Sequence, residues 1–132
     1  MAEKRPDLDG ERLVDIATSE VWLVFNGVRH LVAAEAYENL FGERERVLTG
    51  IEIGSVERGS DLDPGACLVR PVGHHPIYMV TGTGGEVWRH HIPTFECLVD
   101  FGFDISKTCD VPEIVVRGLR EGEPLVSAAR RG

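Results

Sequence analysis

The sequence predicts an α+β fold in which two tandem units, each a strand, a β-hairpin, a short helix and a strand, pack as one pseudo-twofold domain. Three observations indicate this fold. Residues 21–42 align with residues 77–102, and a two-residue turn signal lies inside each of these segments. The chain has 132 residues, of which 42% are hydrophobic and 27% charged, as is typical of one globular domain.

Each unit begins with a short predicted strand. Residues 10–15 read GERLVD and residues 65–70 read GACLVR, so the two pieces share a glycine and a Leu-Val pair. We expect these pieces to match position by position. Asp63-Pro64-Gly65 is the predicted turn that connects the units.

The first hairpin is predicted by Asn26-Gly27, because both residues tolerate the positive φ of a type I′ turn. This turn fixes the register of the two strands. It pairs Phe25 with Val28, Val24 with Arg29, Leu23 with His30 and Trp22 with Leu31.

The second hairpin is predicted to turn at Gly84-Gly85 and is four residues longer. The extra residues add two to each arm, so every side chain stays on the same face of the sheet. The register then pairs Val80 with Arg89, Met79 with His90 and Tyr78 with His91.

Short helices are predicted over residues 33–40 and 94–99, the second with Pro93 near its first turn. Gly42 and Gly102 stand where a helix end favours a left-handed residue. Each unit is then expected to end in a further strand, at residues 51–53 and 113–117.

These elements place the first unit at residues 10–62 and the second at residues 65–125, within a single domain of residues 10–126. Residues 1–9 and 127–132 are predicted to be flexible termini.

A family resemblance is carried by residues of the second unit, namely Gly65, Leu68, Arg70, Ile77, Tyr78, Met79, Val80, Arg89, Ile92, Pro93, Gly102 and Phe103. With these residues the chain resembles a short strand–hairpin–helix repeat of bacterial surface-associated and secreted multidomain proteins, and the first unit matches it more loosely. The resemblance implies an accessory, non-catalytic module with no catalytic residues, and it favours an extracellular or cell-surface location.

Composition excludes several classes of partner. A formal net charge of −8 leaves no excess of Lys and Arg for a nucleic acid, and no apolar run reaches the roughly 18 residues of a membrane span. The first residues, MAEKRPDLDGERL, contain no apolar signal region, which predicts a cytoplasmic protein. Cys67, Cys97 and Cys109 have no CxxC spacing and are expected to be reduced thiols.

The Arg-His pairs are predicted to be structural. Arg29-His30 recurs as Arg89-His90, and a residue kept in both units serves the packing of the unit more readily than a single active site. The register puts each arginine on the face of an aromatic residue, Trp22 or Tyr78, where a guanidinium can cover the ring and bond a carbonyl or carboxylate.

The candidate ligand-binding residues are those with no counterpart in the first unit, together with the two hairpin aromatics. They are His74, His75, His91, Tyr78 and Trp22. A small metal-dependent enzyme or metal-binding protein that uses His74, His75, His90 or His91 with carboxylates is an alternative. Because no HxH, HExxH or CxxC spacing occurs, we assign no metal ligand, cofactor or catalytic residue.

Protein contact is the predicted function, because both faces of the first hairpin are apolar and each needs a cover. Val21, Leu23 and Phe25 lie on one face, and Trp22, Val24 and Leu31 on the other. We therefore expect a non-catalytic module that binds a protein partner or a surface glycan and forms a homo-oligomer. A structural part of a larger bacterial or phage-like assembly is a further alternative.

Overall fold

The computed structural model describes residues 2–42, 47–83 and 86–128. In these residues three helices accompany eight strands in two sheets, so the predicted α+β class is confirmed. The elements are β1 (Arg12–Val14), β2 (Val21–Phe25), β3 (Val28–Val32), α1 (Ala34–Leu40), β4 (Cys67–Pro71), β5 (Ile77–Thr83), β6 (Glu86–Ile92), α2 (Phe95–Asp100), β7 (Cys109–Val111), α3 (Glu113–Arg117) and β8 (Arg120–Glu121).

The first sheet is antiparallel in the order β1-β2-β3. Asn26 and Gly27 both have positive φ, +56° and +79°, because the tight turn between β2 and β3 requires it. The predicted register is confirmed, and its central pairs are Trp22 with Leu31 and Leu23 with His30.

The second sheet has the order β7-β4-β5-β6-β8, with antiparallel pairs at its centre and a parallel strand at each edge. The predicted register of β5 and β6 is also confirmed, with Tyr78 opposite His91 and Met79 opposite His90. Thr83 pairs with Glu86, and the turn predicted between them at Gly84-Gly85 lies outside the described residues.

Both leading strands form as predicted, but they do not match position by position. The first strand is shifted by one residue relative to the second. Leu13 pairs with Trp22 on the outer face of the first sheet, which points away from the core shared by the two sheets. Leu68 instead pairs with Met79 on the inner face of the second sheet, which points into that core. Arg12, opposite Leu23, therefore occupies the inner position that Leu68 fills in the second sheet. The sequence match of the two Leu-Val pairs hid this shift, since a one-residue slip exchanges the faces.

Both predicted short helices are present. Thr94 caps α2, and its hydroxyl accepts a hydrogen bond from the Cys97 amide over 3.1 Å. Gly102 has a φ of +76° as predicted, but Gly42 does not take the left-handed conformation. The reason is that Phe41 already leaves α1 in an extended conformation and pairs with Phe103.

The two final strands predicted at residues 51–53 and 113–117 are wrong. Ile53–Ser55 forms a 3-10 turn and residues 113–117 form α3. Val56 directly follows the 3-10 turn, and Val116 lies in the last turn of α3. Both valines are buried against a sheet. The carbonyl of each valine accepts a hydrogen bond from an arginine side chain, as shown below.

Two apolar clusters surround the first sheet. The inner one joins both sheets and both longer helices, and it includes Leu23, Phe25, Leu40, Phe41, Leu68, Met79, Ile92, Leu98 and Phe101. The outer one consists of Leu8, Leu13, Trp22, Val24 and Val56. The first hairpin is thus covered on both faces by its own chain, so its apolar faces do not by themselves require a partner.

The N-terminal segment, which the sequence predicts to be a loose end, contacts Val56 and the tip of the first hairpin. Glu3 pairs with Val56, and the Arg5 amide donates to the Gly27 carbonyl over 2.7 Å. Leu8 and Asp9 are buried. At the other end, the predicted loose tail begins with a buried Ser127 whose hydroxyl donates to Asp100 over 2.7 Å.

Candidate functional site

Arg29 is held over the ring of Trp22. Its guanidinium lies 4.3 Å from the ring centroid, and Arg58 approaches the same ring at 5.1 Å. Nε of Arg29 donates to the Val56 carbonyl over 2.8 Å. The side chain thereby fastens the turn before Val56 to the outer face of the hairpin.

Arg89 makes the same set of contacts in the second sheet. Its guanidinium lies 5.6 Å from the Tyr78 ring centroid, and Nη1 donates to the Val116 carbonyl over 2.5 Å. Nη2 lies 3.5 Å from Glu121, a weak and partly exposed ion pair.

The two histidines of the Arg-His pairs meet at one aromatic ring. Nδ1 of His30 donates to the Ser60 carbonyl over 2.7 Å, and Nδ1 of His90 donates to the Glu123 carbonyl over 2.8 Å. The His30 ring stacks on Phe25 at 3.7 Å, and the His90 ring meets the edge of Phe25 at 5.5 Å. Both imidazoles are therefore held by the packing, His30 in a buried position and His90 in a partly buried one.

Two glycines make room for these histidines. A Cβ at Gly59 would lie 2.6 Å from Cε1 of His30, and a Cβ at Gly122 would lie 2.5 Å from Cε1 of His90. These two glycines were not predicted, although a shared spacing in the sequence after each hairpin indicates them. Gly59-Ser-Asp-Leu62 and Gly122-Glu-Pro-Leu125 share the same Gly-x-x-Leu spacing.

An aspartate anchors each hairpin from the chain that precedes it. Oδ1 of Asp9 accepts a hydrogen bond from the Gly27 amide over 2.8 Å, and Oδ1 of Asp63 accepts from the Gly82 amide over 3.2 Å. These aspartates stand just before the leading strands, in the Asp-Gly and Asp-Pro-Gly sequences. From the sequence, Asp63 is predicted only as part of a turn and Asp9 only as part of a loose end.

Burial lowers the pKa of both His30 and His90, and hydrogen bonding to the Ser60 and Glu123 carbonyls opposes that shift. Nδ1 carries the proton in each ring because a carbonyl only accepts. The Nε2 atom of His30 is buried without a hydrogen-bond partner, so a second proton there would be poorly solvated.

This arrangement predicts a loss of stability in mild acid. Histidine has a pKa of about 6.5 in an unfolded chain. Above that pH both histidines are neutral in the folded and in the unfolded state, so their protonation does not reduce the free energy of unfolding. As the pH falls below that value the unfolded chain takes up protons that the folded chain resists. The free energy of unfolding then falls by at most about 1.4 kcal/mol per pH unit for each histidine.

Urea unfolding between pH 7.5 and 5.5 measures this slope. A His30→Asn, His90→Asn variant, whose amides can still donate, is expected to lose most of it. His75→Asn, a change at an exposed position, is the matched control and should keep it. An unchanged slope in the double variant would contradict the assignment.

The histidines specific to the second half lie on the surface. His75 and His91 line one groove of about 510 Å³ together with Arg70 and Phe95. Tyr78 adjoins this groove, with its ring centroid 5.4 Å from that of His91. His74 lies apart, with Nε2 3.3 Å from a carboxylate oxygen of Glu113.

Trp22 does not join this groove. Only 3% of its surface is exposed, and it lies in the outer cluster beneath two guanidinium groups. The structure thus places it as a core residue, and a ligand would have to displace that packing to reach it. The groove is formed by the ends of β4 and β6, the start of β5, the start of α2 and Ile105.

A depression of the same size, about 510 Å³, lies between the corresponding elements of the first half. Val14 stands there at the end of the leading strand, where Arg70 stands in the second half, and Leu31 stands where His91 does. The two depressions therefore share a position but differ in chemistry.

The three thiols differ in exposure, since Cys67 is partly buried, Cys97 is buried and Cys109 is exposed. Burial, followed by the charges of Cys109 and Asp63, raises the pKa of the Cys67 thiol. The Cys97 thiol donates to the Leu125 carbonyl over 3.0 Å.

In the part of the chain that the structure describes, no three His, Cys, Asp or Glu side chains are grouped closely enough to hold a metal ion. None of the described helices has the length and apolar character needed to cross a membrane. The groove offers imidazoles, one guanidinium and apolar surface.

Comparison with known proteins gives no match to a family model, to a curated protein or to a solved structure.

Proposed function

We propose that this chain is a non-catalytic interaction module built from two copies of one strand–hairpin–helix unit, packed about a pseudo-twofold axis. Three recurring contacts support this proposal, because they join matched positions of the two hairpins and tails. They are the arginines over aromatic rings, the histidine-to-carbonyl bonds and the glycines beneath the histidines.

The observation that carries the binding role is an uneven distribution of exposed apolar residues. Of eight exposed large apolar side chains among the described residues, seven belong to the second half. They are Val72, Val87, Phe95, Val99, Ile105, Ile114 and Val115. If the two halves are copies, the first serves as scaffold and the second carries the contact surface.

The groove of the second half is the proposed contact site. Phe95 and Ile105, 60% and 47% exposed, form its apolar side, and Val99 extends that surface into the adjoining depression. His75 and His91 provide hydrogen-bonding groups at the other side. Arg70 is held there by an ion pair with Asp110 at 3.1 Å.

This combination suits a protein segment that places an apolar side chain against Phe95 and a carbonyl or carboxylate near the histidines. A glycan that stacks on Phe95 is the second form of partner that the sequence predicted. A third form is a second copy of the chain, in line with the predicted homo-oligomer.

Phe95→Glu is expected to abolish partner binding, because it places a charge in the apolar side of the groove. The variant should remain folded, since Phe95 is largely exposed and such changes usually alter stability by about 0.5 kcal/mol or less. Affinity capture from an extract of the source cells, quantified for wild type and variant, measures the loss. Light scattering on both proteins shows whether the partner is a second copy.

Ile16→Glu is the matched control, because Ile16 is also an exposed apolar residue but belongs to the first half. It should capture the same partner as wild type. If Ile16→Glu loses the partner, or if Phe95→Glu retains it, the groove is not the contact site. Binding that is removed by glycosidase treatment of the extract would identify the glycan form.

A further inference from the structure

The groove beside α2 and the depression of the first half are formed by equivalent positions. Val14 pairs with Val21 at the end of β1, and the register of β4 and β5 sets Arg70 at the same place in the second half. The loops that follow, residues 15–20 and 71–76, have equal length. The two linings can therefore be compared residue by residue.

The two linings differ in charge. Three positions of the first half carry a less acidic or more basic residue in the second. They are Val14 to Arg70, Ser19 to His75 and Glu20 to Pro76. Among the described residues, no Asp or Glu lines the groove, although the formal net charge of the chain is −8. A groove that gains a guanidinium and loses a carboxylate is complementary to an anion.

Arg70 is oriented by a neighbouring strand. Its Nε donates to Asp110 over 3.1 Å, and 41% of the side chain is exposed. This contact leaves the edge that carries Nη1 and Nη2 in position to bind a carboxylate through two parallel hydrogen bonds. His75, which is exposed on the loop before β5, provides a further hydrogen-bonding group.

The rest of the lining is largely apolar. Ile92 and Leu98, 5% and 3% exposed, belong to its buried part, and Phe95 and Ile105 form its exposed part. α1 begins with Ala34 where α2 begins with Phe95, so the aromatic ring is also specific to the second half. The groove therefore offers one guanidinium next to a large apolar surface.

The size of the groove argues for the end of a chain. A volume of about 510 Å³ corresponds to a small ligand and not to a long segment. In a C-terminal residue the carboxylate and the side chain leave the same Cα, so one residue reaches both the guanidinium and the apolar surface. An internal acidic residue would need a second residue for the apolar contact, and its chain would have to pass the groove on both sides.

We propose that the groove binds the free C-terminus of a partner protein whose last residue has a large aliphatic side chain. Arg70 binds the terminal carboxylate, and the aliphatic side chain packs against Phe95 and Ile105. This inference rests on the proposed contact role of the groove and names the part of the partner that the groove takes.

N-acetyl-Gly-Leu with a free carboxylate, and the same peptide with a C-terminal amide, test this proposal when each is titrated into the full-length protein. In a ¹H–¹⁵N spectrum the backbone amides of His75 and Phe95 and the Nε–H signal of Arg70 should move and saturate, with a Kd on the order of a millimolar for a ligand of this size. The amide peptide should bind at least about tenfold more weakly, because it loses a charge-assisted pair of hydrogen bonds.

Arg70→Gln should weaken binding of the free-acid peptide by about tenfold and leave binding of the amide peptide unchanged. Arg70→Lys, which keeps the charge but not the two-pronged geometry, should weaken binding of the free-acid peptide to a smaller degree. Arg117→Gln is the matched control, because Arg117 is an exposed arginine of the second half that does not line the groove. It should bind both peptides as wild type does.

Equal binding of the two peptides, unchanged binding of the free-acid peptide by Arg70→Gln, or no binding of either peptide up to tens of millimolar would overturn the proposal. N-acetyl-Asp-Leu amide, which carries its carboxylate on a side chain, should bind more weakly than the free-acid peptide, and equal or tighter binding would overturn the assignment to a C-terminus. The capture experiment decides the contact role separately. Loss of the partner in Phe95→Glu but not in Arg70→Gln would support the groove as the contact site and refute its C-terminal ligand.

Discussion

Replacing Arg12 with alanine is expected to lower the free energy of unfolding by about 3 kcal/mol, a large part of the roughly 5–15 kcal/mol of a typical domain. Arg12 is only 2% exposed. Its Nη1 donates to the Tyr37 hydroxyl over 2.9 Å, and its guanidinium lies 4.6 Å from the centroid of Phe41. Alanine would remove these contacts and leave a cavity in the inner face of the first sheet.

Arg12→Leu is expected to cost only about 1 kcal/mol, because leucine fills the corresponding inner position of the second sheet and buried charges are often replaceable by apolar groups. Urea unfolding followed by tryptophan fluorescence measures both changes, with an unchanged m-value as the sign of two-state behaviour. Arg117→Ala, at an exposed ion pair with Glu113, is the control and should cost about 1 kcal/mol or less. A leucine variant as unstable as the alanine variant would show that the guanidinium itself is needed.

The hairpins were predictable because local chemistry fixes them. Asn26-Gly27 permits one tight turn, and the turn sets every pair from Phe25 and Val28 outward. The alternation of side chains then placed Trp22 and Leu23 on opposite faces. The burial of both faces within one chain was not predictable, since it depends on segments distant in sequence.

The parts that were mispredicted are decided by tertiary contacts. The β-branched run Ile114-Val115-Val116 favours a strand by propensity, yet α3 forms because its Val116 packs against the sheet and its carbonyl accepts Arg89. The charged N-terminal segment carries no strand pattern of its own. It is ordered by Leu8 and by hydrogen bonds to the tip of the hairpin.

The candidate site was predicted in part. The absence of a first-unit counterpart singled out His74, His75 and His91, and the structure brings only His75 and His91 to one groove. The same reasoning could not separate half-buried Tyr78 from buried Trp22, because they occupy matched positions on their hairpins. The N-terminal segment packs on Trp22, and no feature of the hairpin sequence indicates this contact.

Gly59→Ala is expected to destabilise the protein by about 2 kcal/mol, and Gly122→Ala by about 1 kcal/mol, through the same steric conflict. The new methyl at Gly59 would overlap His30, which cannot move away because it is stacked on Phe25 and bonded to Ser60. His90 is less buried, so it can yield partly toward solvent. Thermal or urea unfolding of each variant measures the cost.

Two further variants separate this conflict from the general cost of losing a glycine. Gly54→Ala is the matched control, because no atom lies within 4 Å of its added methyl and its φ is not positive, so stability should change by about 0.5 kcal/mol or less. His30→Ala should remove most of the penalty of Gly59→Ala, since the overlapping ring is gone, and the double-mutant cycle should show strong coupling.

The stability costs of Gly59→Ala and Gly122→Ala also test the proposed two-copy architecture. If the units are copies of one design, Gly59 and Gly122 exist for the same reason, and each methyl should be tolerated once its own histidine is shortened. His90→Ala should then rescue Gly122→Ala but not Gly59→Ala. A neutral Gly122→Ala, or rescue by the histidine of the other half, would mean that the matched contacts arose separately and that the pseudo-twofold interpretation fails.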